Sequence, residues 1–289
     1  MDSSVTRRSQ PCWYRAPAVG MIAINDSLML GAAIYHLLKL HFRRESYYVD
    51  LLERFHETTY RTEMGQLVDL ITAPGGEVDL TRFSLEKYVT LLIIFPIPDA
   101  SDNRRHRLIV VYKTAYYSFD LPIALAMHMC HIPESYVSKS SPSSTIYPYT
   151  LASNILLPLG VYFQVQDDFL DYAGTPEQIG KVGTDVVDNK CSWCINTALA
   201  VASPIQRQIL EENYGKKAED GTIGEEERRV KEVYEAVGLK ERYAEYEDRA
   251  YGRILGLIER IPEEEAGQDG VLRREVFMSF LEKIHKRTK

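Results

Sequence analysis

Three aspartates lie within five positions of one another, Asp167, Asp168 and Asp171, directly after an apolar run at 154–163. If this stretch is helical, Asp167 and Asp171 lie one turn apart, about 6 Å along the axis, and share a face with Gln164. Carboxylates this close repel one another unless a cation neutralises them. Oxygen ligands of this kind suit Mg2+ that also contacts the phosphate oxygens of a substrate. An exposed acidic turn of helix is the alternative.

A lysine between two glycines follows the aspartates, in the segment 180–193. The flanking glycines, Gly180 and Gly183, allow the backbone to approach a ligand closely, and Thr184 or Asp185 could cap a new helix. Lys181 and, further along, Lys190 could then offer positive charge to phosphate oxygens. An ordinary loop with solvated lysines is the alternative, but the acidic cluster just upstream favours a diphosphate site.

The two motifs together resemble the second aspartate-rich region of the short-chain trans-prenyl diphosphate synthases. Further segments match that family in the same order, and they cover most of the chain. These segments are 2–14, which is similar to the end of the family's first aspartate-rich motif, 62–70, 112–119 and the basic end 283–289. Several motifs in the right order make the resemblance specific.

The resemblance implies an all-α fold, an isoprenoid-synthase-type bundle of long helices around a central cavity. It implies a Mg2+-dependent prenyltransferase that joins isopentenyl diphosphate to an allylic diphosphate, dimethylallyl or geranyl, to give farnesyl diphosphate. Metal ions held between two facing aspartate motifs would neutralise the leaving diphosphate. The metal ligands implied by the resemblance are Asp2, Asp167, Asp168 and Asp171.

The resemblance also implies which side chains bind the substrates. Arg7 would contact the allylic diphosphate and Arg8 the isopentenyl diphosphate, because the guanidinium fork suits phosphate oxygens. Thr114 and Gln164 would face the reacting carbons, where their oxygens could stabilise positive charge. The implied catalytic residues are Lys113, Thr114 and Gln164, and the implied lysine ligands of the allylic diphosphate are Lys113, Lys181 and Lys190.

A polar stripe at Thr62, Gln66 and Asp69 has the i, i+4, i+7 spacing of one helical face. This stripe could be the solvated side of its helix, whereas the resemblance places it toward the cavity.

A single C-x-x-C, formed by Cys191 and Cys194, could bind metal or act in redox chemistry. Since no second pair accompanies it, we expect two packed helical thiols.

Two features depart from the family pattern. The chain as written begins inside the first aspartate-rich motif, at Met1-Asp2, so we expect a single domain over 1–289 that is incomplete at its N-terminus and has little or no condensation activity. Residues 88–105 separate segments that adjoin in the family. We interpret them as an insertion from a retained intron or gene-model error, and a genuine surface loop is the alternative. A non-catalytic partner subunit of a full-length synthase is the alternative function.

Composition excludes several classes of protein. A net charge of −7 argues against a nucleic-acid partner, and 45% hydrophobic with 26% charged residues is typical of a globular protein. No apolar stretch suits a signal peptide or a membrane span, so we expect a cytoplasmic location.

The resemblance implies a homodimer. The expected helices are 28–42 after a cap at Asn25-Asp26-Ser27, 46–72, 112–131, 149–172, 189–201, 204–214, 225–237 and 239–260.

Overall fold

Helices make up most of the computed structural model. Its described residues are 6–7, 10–72, 78–83, 104–139, 143–175, 183–216, 224–263 and 270–287. Strands occur in these ranges only as two short antiparallel pairs, β1 (Thr6–Arg7) with β2 (Gln10–Pro11) and β3 (Tyr136–Val137) with β4 (Thr145–Ile146). The expected all-α fold is therefore confirmed.

Most of the described residues lie in α-helices, which are joined by connections of very different lengths. A π-helical segment, Val111–Asp120, joins α3 to α4, and short 3-10 turns lie at Trp13–Arg15 and Leu80–Phe83. The α-helices are α1 (Ile22–Phe42), α2 (Tyr48–Thr72), α3 (Arg104–Val110), α4 (Leu121–Met129), α5 (Pro148–Ala173), α6 (Trp193–Val201), α7 (Pro204–Asn213), α8 (Glu225–Ala236), α9 (Leu239–Ile258) and α10 (Arg274–Ile284).

The predicted cap of the first helix is wrong. Helix α1 begins at Ile22, ahead of the Asn25-Asp26-Ser27 signal, and has no side-chain cap. The side chain of Asp26 instead accepts a hydrogen bond from Trp13 Nε1 at 2.8 Å, and Ser27 Oγ donates to the Ile24 carbonyl at 2.7 Å. Contacts with the preceding 3-10 turn therefore override the local capping preference.

The helix expected at 112–131 is not uniformly α-helical. Its central turns are π-helical, and the backbone N–H of Leu121 donates to the carbonyl of Tyr116, five residues earlier. Helices α2 and α5 lie on either side of this π segment. A Cβ at Gly65 of α2 would lie 2.6 Å from the Tyr112 carbonyl carbon, and one at Gly160 of α5 would lie 2.5 Å from Ala115 Cβ. Both glycines are required because the three backbones approach so closely.

Two apolar clusters form the core, and α5 contributes to both. One surrounds Trp193, Tyr214 and Tyr234, and the other surrounds Tyr162 and Phe277. The second cluster is completed by α10, which the sequence analysis did not predict because it assigned no helix beyond residue 260. Within the described residues, no helix has both the length and the apolarity to span a membrane. The proposed insertion at 88–105 lies outside the described residues, except for the backbone of 104–105 in α3.

Candidate functional site

The second aspartate of the cluster is buried and fully hydrogen-bonded. Asp168 Oδ2 lies 2.8 Å from His106 Nε2 and accepts the backbone N–H of Trp193 at 2.7 Å. Its other oxygen, Oδ1, accepts from Gln164 Nε2 at 2.9 Å. Asp168 therefore joins α3, α5 and the start of α6.

The third aspartate organises the loop that follows α5. Asp171 is buried, and its Oδ2 accepts the backbone N–H of Asp185 at 2.9 Å. A Cβ at Gly183 would overlap the Asp171 carbonyl oxygen, so this glycine serves a close backbone contact with α5. The sequence predicts that Gly183 lets the backbone approach a ligand, whereas in the structure the close neighbour of Gly183 is the backbone of Asp171. Asp185 is not a helix cap, since α6 begins at Trp193.

A tight turn carries Lys190 from this loop into the site. The turn spans 185–189, and Asn189 has a positive φ of 54°, a conformation that asparagine tolerates. The buried phenol of Tyr214 donates to the carbonyls of Lys190 and Asp185, at 2.6 and 3.2 Å. Burial raises the pKa of Tyr214 well above its ordinary value, so the phenol remains a donor at physiological pH. The backbone of Lys190 is therefore fixed by a core side chain.

Two lysines from different elements converge on one carboxylate. Lys113 Nζ of the π segment lies 2.6 Å from Asp69 Oδ2, and Lys190 Nζ lies 3.4 Å from the same oxygen. Asp69 is buried near the end of α2, so the polar stripe of that helix faces the protein interior at this position. The sequence placed Lys113 and Lys190 in one site, and the structure brings them together. Asp69 as their shared partner was not predicted.

Thr114 and Gln164, the side chains expected to face the reacting carbons, lie beside each other. Thr114 Oγ1 donates to Gln164 Oε1 at 3.2 Å, which links the π segment to α5. Since Gln164 also contacts Asp168, the pair adjoins the aspartate cluster. The structure therefore brings these two residues together, and their role toward the reacting carbons stays a prediction.

The first aspartate lies next to the basic end of the chain. The Asp167 side chain is 44% exposed, and its Oδ1 lies 3.9 Å from a guanidinium nitrogen of Arg287. Arg287 also donates to Gln166 Oε1 at 2.7 Å and lies over the Phe163 ring, 3.8 Å from its centroid. Burial lowers the pKa of Arg287, although an arginine keeps its charge in such a site. The sequence analysis identified the basic end 283–289 as a segment that matches the family, but it did not predict a contact between this end and Asp167.

Some predicted site residues fall outside what the structure describes. Asp2, Arg8 and Lys181 are among these, and Arg7 is described only as backbone in β1. In the described part of the chain, no group of three His, Cys, Asp or Glu side chains is close enough to hold a metal ion. The cysteine pair lies beneath the site, where Cys194 Sγ contacts the Asp168 carbonyl at 3.4 Å. Cys191 precedes α6 and is not helical.

Comparisons with known proteins identify the family of this chain. The polyprenyl synthetase family matches residues 1–237. The farnesyl pyrophosphate synthase of Ganoderma lucidum is 56% identical over 292 residues, which cover 100% of this chain and 72% of that protein. The farnesyl pyrophosphate synthase of Saccharomyces cerevisiae is 47% identical, with 100% and 71% covered. The solved T. brucei farnesyl diphosphate synthase complexed with risedronate has a TM-score of 0.74 and 29% identity, with 100% and 73% covered.

The chain belongs to the polyprenyl synthetase family, and its class is that of the trans-prenyltransferases. Over its whole length it is a farnesyl diphosphate synthase homologue, and the similarity assigns it that activity in isoprenoid biosynthesis. The family resemblance stated from the motifs is therefore confirmed.

Proposed function

We propose that this chain binds an allylic diphosphate between the lysines of the π segment and the aspartate helix, and condenses it with isopentenyl diphosphate. The observation that carries the proposal is the convergence of Lys113 and Lys190 on Asp69. Two ammonium groups that meet at one carboxylate can together bind the oxygens of a diphosphate anion. Lys181, Arg7 and Arg8 are proposed as further diphosphate ligands from the family resemblance.

Mg2+ is the proposed cofactor, and Asp167 of α5 fits it. Its carboxylate is exposed enough to share a metal with a substrate, whereas Asp171 is buried and its Oδ2 accepts the backbone N–H of Asp185. The family resemblance alone implies Asp2, Asp168 and Asp171 as further ligands. When bound, Mg2+ would neutralise the diphosphate and make it a better leaving group.

The chain's own side chains have separate tasks in this proposal. Lys113 and Lys190 hold the allylic diphosphate and stabilise the negative charge that grows as the C–O bond breaks. Thr114 Oγ1 and Gln164 Oε1 offer oxygen atoms to the allylic carbons that become positive. We propose that a diphosphate anchored at the lysines extends its carbon chain toward these oxygens.

Calorimetric titration of geranyl diphosphate in the presence of Mg2+ tests the binding step. We expect Lys113→Gln and Lys190→Gln each to weaken binding about tenfold, because each removes a charged contact of roughly 1.5 kcal/mol. Lys240→Gln is the matched control, since Lys240 is exposed at the start of α9. Unchanged affinity in both site variants would contradict the proposed diphosphate site.

A turnover assay with purified protein, Mg2+ and both diphosphates tests the reaction. Farnesyl diphosphate is the expected product. Products of another kind would contradict the proposed reaction. Robust formation of farnesyl diphosphate would refute the prediction, made from the sequence, that the chain as written has little or no condensation activity.

We also propose that the chain forms a homodimer through α1. Of the α1 side chains Leu38 alone is buried, whereas Leu28 is 70% and Leu30 72% exposed. An exposed apolar helix face is a typical site of protein–protein contact. The same face would serve the alternative function, a non-catalytic partner subunit of a full-length synthase. A cytoplasmic location stays a prediction from the sequence.

Sedimentation analysis tests the dimer. We expect Leu30→Glu to shift the protein toward monomer, because a dimer would bury the new carboxylate without a partner. Ile205→Glu is the matched control, since Ile205 is an equally exposed apolar residue on α7. A dimer that survives Leu30→Glu but is lost in Ile205→Glu would place the contact elsewhere. Co-purification with a full-length synthase in place of self-association would favour the partner subunit.

A further inference from the structure

A chain of hydrogen bonds runs from a buried histidine to the side chains proposed to face the reacting carbons. His106 Nε2 lies 2.8 Å from Asp168 Oδ2, and Asp168 Oδ1 accepts from Gln164 Nε2 at 2.9 Å. Gln164 Oε1 then accepts from Thr114 Oγ1 at 3.2 Å. The proposed reaction uses Thr114 and Gln164, but it gives no task to His106.

The carboxylate of Asp168 decides which way the Gln164 amide points. An ionised carboxylate can only accept hydrogen bonds, so the amide must turn its NH2 group toward Asp168. The carbonyl oxygen Oε1 is then directed toward Thr114. The two ends of an amide are almost the same size, so packing alone would not distinguish these orientations.

Asp168 is also poorly placed to bind metal. Its Oδ2 is shared by His106 and by the backbone N–H of Trp193, and its Oδ1 is bonded to Gln164. The Asp168 side chain is only 7% exposed, whereas the neighbouring Asp167 side chain is 44% exposed. A metal at Asp168 would displace hydrogen bonds that hold α3 and α6 against α5.

We propose that Asp168 is a positioning residue for the reaction and not a metal ligand. Together with His106, it holds Gln164 with its carbonyl oxygen toward the carbons that become positive. This inference rests on the proposed function, because it takes its meaning from the substrate held at that oxygen. It divides the roles of two adjacent aspartates, with Asp167 facing the metal and Asp168 facing the core.

Asp168→Asn tests the proposal, because asparagine offers one acceptor oxygen where aspartate offers two. The remaining oxygen still bonds to His106 and to the backbone N–H of Trp193. The new NH2 group therefore faces Gln164 and forces the Gln164 amide to flip. We expect kcat to fall roughly tenfold or more, since an NH2 group now faces the developing positive charge. The KM values of both substrates should change less than about twofold, because the lysine contacts are untouched.

A second substitution should repair the first. In Asp168→Asn combined with Gln164→Glu, one glutamate oxygen accepts from the asparagine NH2 and the other again faces Thr114. We expect the double variant to recover part of the lost kcat. It should also unfold at a higher temperature than Gln164→Glu alone, in which two carboxylates face each other. The absence of recovery in both measurements would overturn the proposed amide orientation.

Metal binding is measured without turnover, by the paramagnetic resonance of free Mn2+ during titration with inorganic pyrophosphate present. Asp167→Asn should weaken Mn2+ binding about tenfold, and Asp168→Asn should change it less than about twofold. Equal losses in the two variants would overturn the proposal. If the unsubstituted chain neither binds Mn2+ with pyrophosphate nor condenses, the proposed function fails. The unfolding measurements on the double variant then still decide the amide orientation.

Discussion

Replacing Gly65 by alanine should separate the lysine-bearing π segment from α2. A Cβ at this position would overlap the backbone nitrogen of Lys113 and lie 2.6 Å from the Tyr112 carbonyl carbon. Ordinary contacts begin at 3.4 Å, so the two backbones would have to separate by about 1 Å. Because backbone atoms cannot rotate away, the overpacking penalty falls at the upper end of its usual range, about 3 kcal/mol.

The intrinsic preference of helices for alanine opposes this loss. Replacing a helical glycine with alanine gains about 1 kcal/mol, so the net destabilisation should be about 2 kcal/mol. That corresponds to a fall in Tm of roughly 4–8 °C for a domain of this size. The displacement of Lys113 should also weaken the binding of geranyl diphosphate with Mg2+.

Chemical denaturation and calorimetric titration measure the two effects. Gly252→Ala in α9 is the matched control, since a Cβ there meets nothing within 4 Å. It should stabilise the protein by about 1 kcal/mol and leave ligand affinity unchanged. If Gly65→Ala is as stable as Gly252→Ala, the close contact between α2 and the π segment does not exist.

Three further predictions follow from buried charges and thiols. Burial raises the pKa of Asp120, which accepts a 2.5 Å hydrogen bond from Ser153 Oγ, so the folded state holds this proton at pH values where the unfolded chain has lost it. The stability contributed by this group is therefore lost as pH rises above about 4. Asp120→Asn should raise Tm at pH 7 but not at pH 3. Equal changes in Tm at the two pH values would show that the folded protein does not hold this proton. Arg287→Met should destabilise the protein by about 1–2 kcal/mol in urea unfolding, whereas Arg249→Met, at a 70% exposed side chain, should change little. A thiol reagent should label the exposed Cys130 in the folded protein, whereas the buried Cys194, whose pKa burial raises, should react only after unfolding; rapid labelling of Cys194 would show that α6 opens.

Short-range patterns in the sequence predicted most of the helices but not their ends. The helix expected at 149–172 is observed as Pro148–Ala173, because its period is regular and Gly174 follows it. The helix expected at 46–72 is observed as Tyr48–Thr72. The helix expected at 189–201 begins only at Trp193, because residues before it form the turn that carries Lys190. Turn geometry held by the distant Tyr214 is not encoded in local spacing.

The sequence by itself determined the family and the reaction, and it predicted which aspartates and lysines form the site, because motif residues and their order along the chain are one-dimensional information. The tertiary structure decided what each of them contacts. The pairing of Lys113 with Asp69, of His106 with Asp168 and of Arg287 with Asp167 joins residues 44, 62 and 120 positions apart. Such contacts depend on which helix faces pack together, and the π-helical turns around Lys113 change those faces in a way that helical periodicity does not reveal.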